Sequence, residues 1–202
     1  MSHTRYLIIG GGMTGAAAAV GIRELDATGG ITLISAETAP PYDRPPLSKK
    51  LWADKRTLDQ IVAPLPDDVL LHLGRRVVDI DPERRQATDD IGAVYTYDKL
   101  LLATGGTPRR LPFGGDAVNY YRTVENYREV RAESDRGDSF VVIGGGPAGS
   151  VTAGLLAQAG VRVMVLERAV FPRFHLGESL TPASVAVLDT LDLGDALAAR
   201  YL

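Results

Sequence analysis

Leu7-Ile8-Ile9-Gly10-Gly11-Gly12-Met13-Thr14-Gly15 decides the fold of this chain. Three β-formers run into Gly-x-Gly-x-x-Gly, and the small residues from Ala16 to Val20 then open a helix. A second apolar run, Ile31-Thr32-Leu33-Ile34, ends just before the acid Glu37. Strand, glycine turn, helix, strand and acid together make the β-α-β fingerprint of an adenine-dinucleotide site, not an isolated pattern match. Gly10 allows the tight turn, Gly12 carries no Cβ to block a pyrophosphate, and Gly15 lets the helix pack close on the strand. Met13 and Thr14 complete the turn. The helix N-terminus offers unpaired N–H groups and the positive end of its dipole to phosphates. Glu37 is placed to accept a hydrogen bond from a ribose hydroxyl and disfavours a 2′-phosphate.

Outward from that stretch, composition sets the bounds. The chain has 202 residues, enough for one large or two small domains, with 45% apolar and 23% charged residues as in ordinary globular proteins. A net charge of -3 gives no reason to expect nucleic acid or an anionic membrane as partner. No apolar run approaches a membrane span, no secretory leader is recognisable, and a cytoplasmic location is expected. The absence of cysteine removes disulfide frameworks, thiolate metal sites and thiol catalysis. With only His3, His72 and His175, no metal site is expected.

The first helix is expected to bury Gly15, Ala19 and Ile22, and Asp26-Ala27-Thr28-Gly29-Gly30 to end it with a left-handed glycine cap. Prolines stiffen Pro40-Pro41-Tyr42-Asp43-Arg44-Pro45-Pro46-Leu47-Ser48-Lys49, whose Arg44 and Lys49 suit an anionic ligand. Alternation between Val69 and Tyr97 predicts two or three antiparallel strands. Lys99 to Ala103 reads as a fully buried strand, ending in Thr104-Gly105-Gly106. Val124 to Ser134 reads as a charged, mostly exposed helix.

Then the opening pattern repeats. Phe140-Val141-Val142-Ile143 enters Gly144-Gly145-Gly146-Pro147-Ala148-Gly149, a helix follows, and Val161 to Leu166 ends at Glu167. The expected architecture is therefore α/β: two Rossmann-like FAD/NAD(P)-binding β-α-β units with a small antiparallel β insertion. Residues 1–135 are assigned to a first, FAD-binding domain and 136–202 to a second, incomplete dinucleotide-binding unit. In that unit Gly144, Gly146, Pro147, Ala148, Gly149, Glu167 and Arg168 are the candidate binding residues. Arg168 either favours a 2′-phosphate or is a solvated residue at a strand end.

Residues 1 to about 135 resemble the flavoprotein ferredoxin reductases of oxygenase systems, of the putidaredoxin and rubredoxin reductase type. The resemblance rests on the first fingerprint, on Tyr42-Asp43-Arg44-Pro45-Pro46-Leu47-Ser48-Lys49, and on Tyr97 to Arg109 with its Ala103-Thr104-Gly105-Gly106. It implies that Gly10, Gly12, Met13, Thr14, Gly15 and Glu37 hold the ADP half of FAD. Arg44, Lys49, Val77, Ala103, Thr104, Gly105 and Arg109 are implied to line the rest, with Lys49 near the flavin. It further implies NAD(P)H as electron donor and a ferredoxin-like protein as acceptor. Those enzymes need no redox disulfide, which fits the missing cysteines. No catalytic side chain is assigned.

The last third carries a different resemblance. Gly-Gly-Gly-Pro-Ala-Gly, then Phe171-Pro172-Arg173-Phe174-His175-Leu176-Gly177-Glu178-Ser179-Leu180 and Pro182, is similar to the FAD-binding N-terminus of flavin-dependent halogenases and related monooxygenase-like flavoproteins. That family's catalytic lysine and paired tryptophans have no counterpart, since no lysine follows Lys99 and Trp52 is the only tryptophan. The alternatives to a reductase are thus a second FAD unit of halogenase type, or a nucleotide-binding fragment or chimera without turnover. Two flavoprotein pieces are expected to meet near Arg131 to Ser139, through fusion, truncation or artificial joining.

Overall fold

A computed structural model describes residues 2–168 of the chain. These fall into two compact units, residues 2–44 with 58–115, and residues 45–57 with 116–168.

In the first unit β1 (Ser2–Ile9) leads into α1 (Met13–Leu25) and returns through β2 (Ile31–Ile34). Four further strands follow: β3 (Leu70–His72), β4 (Val77–Asp81), β5 (Gln86–Asp89) and β6 (Val94–Leu102). They form one six-stranded sheet in the order β3-β2-β1-β6-β5-β4. Strands β3, β2, β1 and β6 run parallel, while β4 and β5 pair antiparallel in a meander with β6. Both faces of β1 are covered, which is why its apolar run is continuous. Ile8 packs with Leu33, Ile31 and Ala19 under α1. Leu7 and Ile9 pack on the opposite face with Ile34, Ala87, Tyr95 and Tyr97. The helix buries Gly15, Ala16 and Ala19, and Ile22 packs against the Ile8 cluster.

The structure adds one strand and changes two expectations. Residues 70–72 lie parallel beside β2, pairing Thr32 with Leu70, while β4, β5 and the start of β6 make the antiparallel strands expected between Val69 and Tyr97. The chain leaves β2 for a long excursion and returns in the same direction, an effect of tertiary path that alternation cannot report. Helix α1 ends without a left-handed glycine. Asp26 is extended, and its carboxylate accepts from the N–H groups of Thr28 and Gly29 at 3.2 and 2.8 Å and from the Tyr6 hydroxyl at 2.9 Å. The Gly29 and Tyr6 bonds, and that from Thr28, hold the Asp26 carboxyl below its usual range. Glycine is needed at 29 for space, because a Cβ there would run into Asp26 and Tyr6. Finally, the strand read from Lys99 begins at Val94, and Leu102 at its end is 58% exposed.

Asp89 closes the β5–β6 turn although it is only 1% exposed. Its carboxylate accepts from the N–H groups of Ala93 (2.8 Å) and Ile91 (3.2 Å) and from the Tyr95 hydroxyl (2.9 Å). Burial, with the Asp89 bond second, pushes Tyr95 up to about 12, so it stays a donor at neutral pH.

The second unit holds α2 (Val124–Asp135), β7 (Phe140–Ile143), α3 (Pro147–Gln158) and β8 (Val163–Leu166). Thr123 and Asn126 form a capping box on α2, and Val124 and Val130 are its buried residues. β7 and β8 pair in parallel, Val141 beside Met164.

Replacing Asp89 by Ala leaves the Tyr95 hydroxyl and two turn amides without their acceptor. We expect Asp89→Ala to lower the unfolding free energy by about 2–3 kcal/mol. A denaturant titration that finds the parent's midpoint would show that the turn is not held by this carboxylate.

Candidate functional site

The carboxyl ends of β1, β2 and β6 meet at the first glycine loop, the place where open α/β sheets bind ligands. Gly10 has φ +119°, a region that favours glycine, and its N–H donates to the Ile34 carbonyl at 2.8 Å. The Ala103 N–H donates to Ile9 at 2.8 Å, which brings the Ala103 backbone so close that a Cβ on Gly10 would meet its carbonyl. A Cβ on Gly15 would strike the Gly10 carbonyl, and one on Gly11 would meet Ser35. Three of these glycines are thus enclosed by neighbours.

Gly12 differs. A Cβ there has nothing within 4 Å, its φ of -81° suits any residue, and it caps α1 without a side-chain hydrogen bond. Met13 (46% exposed) and Thr14 follow at the open first turn. The N–H groups of that turn therefore open onto space that no side chain at position 12 occupies, as a helix N-terminus that receives an anion requires. A dinucleotide pyrophosphate fits this cradle.

Glu37 lies beyond β2 at the same sheet end. Its Oε2 accepts from the Tyr42 hydroxyl at 2.6 Å, and its Oε1 accepts from Nη2 of Arg44. The Arg44 guanidinium also lies over the Tyr42 ring, 5.4 Å from its centroid. Tyr42 is only 5% exposed, and its backbone bridges to Val62, flanked by bonds from Asp43 N–H to Ile61 and from Ala63 N–H to Pro41, both 2.8 Å.

The structure thus brings together Gly10, Gly12, Met13, Thr14, Gly15 and Ala103 around one loop. Thr104 and Gly105 (φ +66°) follow directly and are exposed, as is Arg109 further along. Glu37 and Arg44 form one cluster. Val77 starts β4 and packs, partly buried, against the Leu7 cluster. Lys49 belongs to the other unit, half-buried, with its N–H donating to the Pro46 carbonyl at 3.1 Å. Tyr42 is the residue that sequence reasoning passed over. It stood in the quoted loop motif, but only the fold shows its hydroxyl on Glu37.

The second fingerprint repeats the turn of the first, without a neighbour against Gly144 like the one against Gly10. Gly144 has φ +105° and donates to Leu166 at 2.8 Å, as Gly10 does to Ile34. A Cβ on Gly149 would strike the Gly144 carbonyl, and a Cβ on Gly146 has nothing within 4 Å. Pro147 opens α3, with Ala148 next, and Gly146 caps it without a side-chain bond. One contact is new: the Glu167 carboxylate accepts the Gly145 N–H at 2.7 Å. Arg168 is exposed. The 171–182 motif, with His175 and Glu178, lies outside the described residues.

Among the described residues no group of three or more His, Asp or Glu side chains could hold a metal ion, and no helix is long and apolar enough to cross a membrane.

The sequence profile of the pyridine nucleotide-disulphide oxidoreductases matches residues 4–186. The chain is similar to the ferredoxin reductase subunit of 5,5′-dehydrodivanillate O-demethylase from Sphingobium, 38% identical over 175 residues, 83% of this chain and 42% of that protein. It is 34% identical over 200 residues to terpredoxin reductase of a Pseudomonas species, 96% of this chain and 48% of that one. The crystal structure of the covalent putidaredoxin reductase–putidaredoxin complex matches with a TM-score of 0.76 at 30% identity, over 96% of this chain and 49% of that chain. The chain spans about half the length of the curated relatives it matches. The profile runs across residues 131–139 and into the 171–182 motif, and none of these relatives is a halogenase. One family therefore covers both halves, where the sequence had suggested two pieces.

The loop geometry separates two kinds of glycine variant. Gly12→Val should fold with the parent's melting temperature and lose bound dinucleotide, because its side chain enters only the ligand's space. Gly10→Val should melt early, since both its φ and the Ala103 carbonyl oppose a side chain. Thermal melts and ligand content of the two purified variants check this. A Gly12 variant that keeps its ligand would show that the cradle is not the binding site.

Proposed function

The chain belongs to the pyridine nucleotide-disulphide oxidoreductase family, and from that premise we propose that it is an FAD-dependent NAD(P)H oxidoreductase of the ferredoxin reductase kind. Electrons pass from a reduced nicotinamide through FAD to a small ferredoxin-like redox protein. The observation that carries this reading is the pair of open glycine cradles, built alike around Gly12 and Gly146.

FAD belongs in residues 1–135. Gly10 to Gly15 and the first-turn amides of α1 receive its pyrophosphate, and Glu37 accepts from its adenosine ribose. Arg44, Val77, Ala103, Thr104, Gly105 and Arg109 complete that site. NADH belongs in residues 136–202, on Gly144, Gly146, Pro147, Ala148 and Gly149. Glu167 disfavours a 2′-phosphate by its charge, and its bond to Gly145 N–H fixes it at the loop. That supports NADH over NADPH despite the neighbouring Arg168. FAD, when bound, supplies the step from a two-electron donor to one-electron acceptors, and the protein's part is to bind, orient and supply charge. The protein works in the cytoplasm. A second FAD in the Gly144 unit, as the halogenase-like Pro147-Ala148 and 171–182 motif imply, is the competing reading.

Purified protein should be yellow with one FAD per chain and should bleach on anaerobic addition of NADH. Gly146→Val should keep its FAD and raise the NADH concentration needed for bleaching by roughly tenfold or more, about 1.4 kcal/mol or more of binding. Loss of FAD from this variant would assign the second cradle to FAD. Yellow parent protein that NADH leaves unbleached would remove the hydride-transfer reading.

A further inference from the structure

Tyr42 has a role that neither the fingerprint nor the family match assigns. Its ring is buried, its backbone is pinned by the bridge to Val62, and its hydroxyl donates to Glu37 Oε2 at 2.6 Å. Arg44 donates to the other oxygen. Each carboxylate oxygen accepts along two lone-pair directions, so one direction on each remains for further donors. A carboxylate on two freely rotating methylenes would otherwise sample many orientations, and ordering it on binding costs side-chain entropy.

We propose that Tyr42 is a positioning residue for ribose recognition: with Arg44 it clamps the Glu37 carboxylate so that its remaining lone pairs receive the adenosine ribose hydroxyls of the dinucleotide. The proposal rests on the reading that the first unit binds FAD. It makes Tyr42 a determinant of selectivity for the 2′-hydroxyl without touching the ligand. The geometry favours this over a purely structural ion pair for two reasons. Glu37 sits at the carboxyl end of β2, whose Ile34 carbonyl holds Gly10, so the clamp stands beside the phosphate cradle. The second unit also holds an acid in place after its second strand, Glu167, by Gly145 N–H instead of by side chains.

The test uses the flavin-free chain and two soluble probes, ADP and 2′-deoxy-ADP, titrated calorimetrically. The parent should prefer ADP by about tenfold. Tyr42→Phe, which keeps the ring and loses only the oxygen, should bring the ratio of affinities close to one, as should Glu37→Gln. The double variant should lose no more than Glu37→Gln alone, because Tyr42 acts only through Glu37. A Tyr42→Phe protein that retains the parent's ratio, or losses that add in the double variant, would overturn the clamp. So would a parent that binds both probes equally, although the FAD reading would then stand. A parent that binds neither probe overturns the FAD reading together with the clamp. Should Tyr42→Phe fail to fold, Tyr42 replaced by 3,5-difluorotyrosine keeps the test. Its hydroxyl ionises at lower pH, and between Glu37 and Arg44 the phenolate cannot donate to the carboxylate. The ADP preference should then fall as pH rises through that ionisation, and a preference constant with pH would overturn the proposal.

Discussion

Backbone lies against backbone at the end of β1, and the rest of the first unit follows from that contact. The Gly10 Cα rests on the Ala103 carbonyl, and the Gly15 Cα rests on the Gly10 carbonyl. No side chain fits either point. The first contact sets β6 beside β1 with Ala103 N–H on Ile9, and the second sets the start of α1 against the turn. Once both are made, the helix axis aims its free amides at the open space by Gly12. An open helix N-terminus is thus a by-product of close packing.

The second contact recurs between Gly149 and the Gly144 carbonyl, whereas a Cβ on Gly144 would meet nothing within 4 Å, so the second contact belongs to the supersecondary unit and the first to its surroundings. What also varies is the treatment of the acid after the second strand. In the first unit Ser35 occupies the space beside Gly11, and Glu37 is reached by Tyr42 and Arg44. In the second, Glu167 itself lies beside Gly145 and takes its N–H. A carboxylate bonded to a loop amide cannot swing far, whereas one held by side chains depends on the loop that supplies them. The two acids are thus held by different supports.

These differences explain what could be read in the sequence. Gly15 was legible because its constraint is steric and local, the Gly10 carbonyl of the same turn, and Gly10 because its φ of +119° favours glycine. The repeat at Gly144 was legible for the same reason. The direction of β3 was not, since nothing in Leu70-Leu71-His72 records which way a long excursion returns. The end of α1 was misread because two glycines suggest a left-handed cap, while the Asp26 carboxylate offers the turn amides a better acceptor. Tyr42 stood in plain view in the loop motif, yet a tyrosine among prolines reads as packing until the fold brings Glu37 to it.

The loop from Pro40 to Lys49, read as stiff, has a similar history. Prolines alone predicted a rigid loop, and Pro45–Ser48 does form a 3₁₀ turn. What holds residues 45–57 within the second unit is a chain of polar contacts between half-buried rings. Trp52 Nε1 donates to the Tyr121 hydroxyl at 2.9 Å, and that hydroxyl donates to the Leu47 carbonyl at 2.6 Å. Trp52 also meets Tyr127 of α2 edge-on, ring centroids 5.5 Å apart, and carries the Arg131 guanidinium on its face at 5.5 Å. Burial pushes the Tyr121 hydroxyl well above the usual phenol range, so it remains protonated and keeps both bonds at any working pH. Two residues along the chain from Leu47 stands Lys49, so the backbone that carries this cation is anchored by that hydroxyl.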